Sequence, residues 1–152
     1  MTAEEYVKQS QVFKNKYLET RWFVAEVNYY AAIGNALDSL RGHLRFGCDI
    51  DRDFILGELG FLLGALVEHQ VCTMAHGVFI SHDWRRSIEM VPAGVNGCAN
   101  SILNMTKTDD PERRCHFFAN ACSHLGFNFE DVASRSLENM KREYDQQKRI
   151  EI

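Results

Sequence analysis

The chain has 152 residues, 45% hydrophobic, 25% charged and 11% aromatic, with two prolines and ten glycines. That composition excludes intrinsic disorder and collagen-like repeats, and the length suffices for one self-sufficient core. A formal charge of −4, from 17 basic and 21 acidic residues, argues against a dedicated duplex-binding protein.

Helix signals dominate and no clean two-residue alternation persists. The expected fold is therefore all-α, a single domain over residues 1–152 built as a compact bundle of five or six helices. Thr2 with Glu5 has capping-box spacing and opens a first helix to about Leu18. A second helical region over 20–45 carries Trp22, Phe23, Val27, Tyr30, Ala31, Leu37 and Leu40 near a 3.6-residue period, and Gly42 to Gly47 reads as its exit.

Asp49 and Asp51 then precede the most apolar stretch, Phe54 to Val67, 14 residues with Glu58 inside it. That run is too short to span a bilayer, so a buried core helix is expected and no membrane partner. The helical region reaches about Gly77. Its glycines Gly57, Gly60 and Gly64 each cost up to about 1 kcal/mol of helix propensity, which marks a face where another helix comes close. Because the stretch is apolar all round, a homodimer or higher oligomer packed through these glycines is expected.

Ser81 or Asp83 caps a fourth region, interrupted at Pro92. Asp110-Pro111-Glu112 is a strong start signal: a capping acid, proline at the first helical position, then an acid in the first turn. That helix ends at Leu125-Gly126. Asn128 with Asp131 has box spacing and Phe127 with Val132 staple spacing, so a last helix runs from there to about Lys148. Val132, Leu137, Met140 and Tyr144 face inward along it.

Charge is uneven. Residues 47–104 hold three basic and seven acidic groups, whereas 1–46 hold six and five and 105–152 eight and nine. The five cysteines (Cys48, Cys72, Cys98, Cys115 and Cys122) form no CxxC pair, and the polar N-terminal residues lack the character of a secretory leader. Reduced thiols in a cytoplasm are expected.

Two short patterns carry possible chemistry. His82-Asp83 is the kind of pair that metal-dependent HD phosphohydrolases use, with His43 and Asp109 as partners; Asp83 is equally a helix cap. His69, Cys72 and His76 fall on one face if a single helix runs through them, a donor set that suits zinc, with Cys115 or Cys122 as a fourth ligand. The plainer reading of the same residues is a buried core, where cysteine behaves as a small hydrophobe. The signatures GxGxxG, GxxxxGK[ST], GxSxG and HExxH are absent.

The C-terminal segment is more specific. Ala119 to Ala133, with Leu125-Gly126-Phe127-Asn128 at its centre, and Leu137-Glu138-Asn139-Met140-Lys141-Arg142-Glu143-Tyr144 resemble the last two helices of the MazG-like all-α nucleoside triphosphate pyrophosphohydrolases. Phe23-Val24-Ala25-Glu26-Val27-Asn28 resembles that family's first acidic helix, and Gly57-Glu58-Leu59-Gly60-Phe61 its second. The resemblance implies Mg²⁺ or Mn²⁺ held by carboxylates in EExxE and ExxD patterns, cleaving a (d)NTP to the monophosphate and pyrophosphate. Hard cations take oxygen ligands, bridge phosphate oxygens and activate water.

On that reading Glu26 and Glu58 hold the metal and act in catalysis. Arg85, Arg86 and Lys107 meet phosphate charge, and Trp22 or Trp84 stacks on a base. The other carboxylates of both patterns are replaced, by Ala25 and Tyr29 or Tyr30 in the first and by Phe61 in the second. The replacements favour an alternative, the same helical fold as a non-catalytic module holding a nucleotide or a protein. HD chemistry is a third reading.

Overall fold

A computed structural model describes residues 1–13, 22–85 and 93–150. Among them the chain forms seven helices and no strand: α1 Ala3–Val12, α2 Trp22–Phe46, α3 Arg52–Cys72, α4 His76–Ser81, α5 Gly94–Met105, α6 Pro111–His124 and α7 Phe129–Ile150. The all-α class is as expected; the helix count exceeds the expected five or six.

Local chemistry sets most of the boundaries. Thr2 and Glu5 close a reciprocal capping box on α1, Asp51 caps α3 by accepting from the Phe54 amide, and Asp110 caps α6 by accepting from Glu112. Each satisfies a backbone donor that the first helical turn leaves free. Asn128 and Asp131 exchange two more such bonds at the start of α7. Gly47 and Gly126 end α2 and α6 with φ of +69° and +79°, a region open to glycine at little cost.

The extra helix arises at Met74, whose φ of 60° breaks the expected single helix to Gly77. Thr73 and Met74 close the end of α3, and α4 begins at His76. The expected first helix stops at Val12; residues 14–18, into which it was expected to run, lie outside the described residues, as does Pro92.

The fold is organised around α3, which is mostly apolar and mostly buried, with one strip carrying Glu58, Phe61 and Glu68 left open. Leu59, Leu62, Leu63 and Leu66 are 0–1% exposed, and burial of each such side chain contributes about 1.5–3 kcal/mol. Helices α2 and α7 pack along two sides of α3, while α4 and α6 touch it more locally. Helix α5 pairs with α6 and also rests on α2. Tyr6, Phe79, Trp84 and Phe129 form an aromatic knot between α1, α4 and α7. Among the described residues α3 alone is long and apolar enough to cross a membrane, and 61% of its most apolar window is buried inside the fold.

The α3 glycines do admit a close helix, but that helix is the chain's own α7. A Cβ on Gly57 would meet Arg135, one on Gly60 the Ser136 backbone, and one on Gly64 Met140. The close helix that these glycines admit is thus supplied within the chain, and Gly60 and Gly64 also border an open groove.

Candidate binding groove

Helices α2 and α7 both lie against α3 with no comparable contact between themselves. A strip of α3 is therefore left as the floor of a groove, and the two flanking helices are its walls. Each contributes residues at three- and four-residue spacing, the repeat of one helix face. The floor carries Glu58, Phe61, Gly64, Ala65 and Glu68; α2 adds Asn28, Ala31, Ala32 and Asn35; α7 adds Ser136, Asn139, Met140 and Glu143. The cavity measures about 510 Å³.

Small residues shape the floor. Gly60 and Gly64 let α7 lie close against α3, and Ala65 adds only a methyl group between the walls. Asn139 is fixed at the base, its amide donating to the Gly57 carbonyl at 3.1 Å. Ser136 Oγ shares a 2.7 Å hydrogen bond with the Tyr6 hydroxyl. These bonds tie the α7 wall to α3 and α1.

The electrostatics are one-sided. Among the described residues three carboxylates and three carboxamides line the groove, and no lysine, arginine or histidine does. Glu58, Glu68 and Glu143 make no hydrogen bond or ion pair among the described residues. Burial without a compensating cation pushes the Glu58 and Glu143 carboxyls up from their ordinary value. The groove is therefore suited to a cation that takes over the role of the missing counter-charge.

Of the candidate catalytic, metal and substrate-binding residues, only Glu58 lines this groove. Glu26 is on another face of α2, its Oε2 3.9 Å from His69 Nε2. Glu58 precedes His69 by eleven residues, which separates the two glutamates by roughly 16 Å along α3 at 1.5 Å per residue. The structure does not bring Glu26 and Glu58 together. Trp22 is 61% exposed at the start of α2. Arg85 and Lys107 are exposed and distinct from the groove lining, and Arg86 lies outside the described residues.

Trp84 is a packing residue, with its ring against Phe79 and Phe129 and its Nε1 donating to the Phe79 carbonyl. His82 pairs with Glu112 at 2.6 Å, Asp83 accepts from the Arg85 amide, and His43 bonds the Cys48 carbonyl at the far end of α2. Asp109 faces Arg114. The four HD candidates thus have separate local roles. His69 and Cys72 belong to α3 and His76 to α4, so the break at Met74 removes the shared face on which the zinc reading depended.

Among the described residues no three histidine, cysteine, aspartate or glutamate side chains gather as a metal-holding group. The residues present do not fit the Mg²⁺ or Mn²⁺ cage that the MazG-like resemblance implies. Glu68 and Asn35 complete the groove with no motif marking them, and Asn28, Asn139 and Glu143 lie in the quoted stretches without having been read there as site residues. The spacing of Glu58, Phe61, Ala65 and Glu68 on one helix face was the available signal. No protein-family model, curated protein or solved structure matches this chain.

Proposed function

We propose that the chain is a non-catalytic helical binding module whose groove holds a small elongated cation of the diamine or polyamine class. One observation carries this reading: a cavity of about 510 Å³ is lined by three carboxylates with no hydrogen-bond or ion-pair partner among the described residues, and its described lining includes no basic side chain. Glu58 and Glu68 are ten residues apart on α3, roughly 15 Å along its axis, a span that suits charge at both ends of an extended ligand. Bringing an ammonium group beside a half-buried carboxylate offsets the desolvation that burial imposes on it. A cytoplasmic setting accompanies this reading, since no disulfide joins the five cysteines, all of them among the described residues.

The (d)NTP pyrophosphohydrolase reading needs carboxylates gathered around a metal and positive charge to meet a triphosphate. The groove supplies neither on its own. The discriminating experiment is a thermal-shift screen of spermidine, shorter diamines, and (d)NTPs with Mg²⁺ or Mn²⁺, with pyrophosphate release measured in parallel. Spermidine should raise the melting temperature, since a ligand at 100 times its Kd adds about 2.7 kcal/mol. The Glu58→Gln and Glu143→Gln variants should lose most of that shift. Pyrophosphate release from any (d)NTP, or no response to any amine, would overturn the reading.

A further inference from the structure

His69 takes no part in the groove, and it is the more unusual buried group. The residue is 9% exposed near the end of α3, and its Nε2 is closed off from solvent without a hydrogen-bond partner. The nearest acceptor, Glu26 Oε2 on α2, stands 3.9 Å away, beyond hydrogen-bond reach. The Tyr29 ring, also on α2, lies 5.6 Å from the imidazole, and the Arg114 guanidinium from α6 lies 4.4 Å from the centre of that ring. Arg114 is 3% exposed, donates to the Thr108 carbonyl at 2.9 Å and faces Asp109 at 3.7 Å.

The groups acting on the imidazole are thus Glu26 and Tyr29 from α2, Arg114 from α6 and Asp109 from the connection before it. Burial and the Arg114 charge oppose a proton on His69, while the Glu26 and Asp109 carboxylates favour one; the first pair prevails. A neutral imidazole with its hydrogen on Nδ1 leaves Nε2 without a donor proton, and among the described residues the Glu26 oxygen stands across a gap just too wide for a hydrogen bond. A small movement of the half-buried Glu26 side chain would close it once Nε2 carries a proton.

We propose that Glu26 and His69 form a proton-operated latch between α2 and α3. With His69 neutral the pair stands open. Protonation makes Nε2 a charged donor, Glu26 swings in to accept from it, and the first half of α2 is clamped onto the end of α3. Such charge-assisted bonds are about twice as strong as neutral ones, and histidine is the side chain whose ordinary titration lies nearest neutral pH.

The test is an NMR titration of the histidine Cε1–H signals in the full chain, with His69 assigned by a His69→Gln variant. Amide hydrogen exchange of Trp22 to Tyr30 is followed alongside, corrected for its intrinsic pH dependence. The His69 midpoint should lie below the ordinary 6.5 and move further down in Glu26→Gln. Exchange protection of those α2 amides should rise below the midpoint in the wild type and stay level in the variant. An unmoved midpoint, or protection unchanged across the titration, would overturn the latch. If Glu26→Gln fails to fold, the wild-type Glu26 carboxyl ¹³C shift must show a step at the His69 midpoint; a curve without one refutes the proposal.

Discussion

Gly60 lies directly against Ser136: a Cβ at position 60 would sit 3.0 Å from the Ser136 backbone nitrogen and 3.2 Å from its Cα. The obstacle is main chain and cannot rotate away. Gly60→Ala should push α7 off α3 and cost about 1–3 kcal/mol, the usual range for overpacking a tight core. At position 64 the nearest atom is the flexible end of Met140, also at 3.0 Å. There the helix-propensity gain of alanine, up to about 1 kcal/mol, offsets much of the strain. Urea unfolding of both variants should place Gly60→Ala well below wild type and Gly64→Ala close to it.

The groove glutamates should oppose stability at neutral pH. Burial holds the Glu58 and Glu143 carboxyls above their ordinary 4.5. Between 4.5 and the raised values the folded chain therefore binds more protons than the unfolded chain. Stability from these groups falls as pH rises through that window and recovers as pH drops below it. Glu58→Gln should raise the melting temperature at pH 7 and give little gain at pH 4. Scanning calorimetry at the two values reads the difference directly. An equal shift at both would mean that packing, not charge, is responsible.

At the start of α6, Asp110 accepts from the Glu112 amide at 3.2 Å with Pro111 at the first helical position. Asp110→Ala should cost about 1 kcal/mol, read as a fall in melting temperature of roughly 2–4 °C for a chain of this size. Asp110→Asn, which keeps the accepting oxygen, should retain most of the stability.

The helix boundaries were largely legible in the sequence because capping is local chemistry. Thr2, Asp110, Asn128 and Gly126 all do in the structure what their spacing suggested. The apolar run around Leu59 likewise reported a buried helix. Which helix would cover its glycines depended on tertiary arrangement, and sequence pattern does not say whether a partner comes from the same chain. The break at Met74 was hidden because a methionine with positive φ has no composition signature. For the groove, Glu58 was visible as an acid in apolar company. Its counterparts Glu68 and Glu143 are ordinary charged residues until α2, α3 and α7 are laid side by side.

The Tyr6–Ser136 hydrogen bond joins residues 130 positions apart, and the recorded packing of α1 is against α4 and α7. Synthesised first, α1 meets part of its surface when α4 follows, and the rest, with the Tyr6–Ser136 bond, only when α7 has emerged from the ribosome. A ten-residue helix of this kind is marginal alone in water, and contacts across so long a stretch of chain form slowly. Docking of α1 is therefore the closing event of folding, when Tyr6 seals Phe79 and Phe129 from water. Until then those rings are less fully covered, which lengthens their exposure to chaperones and to aggregation.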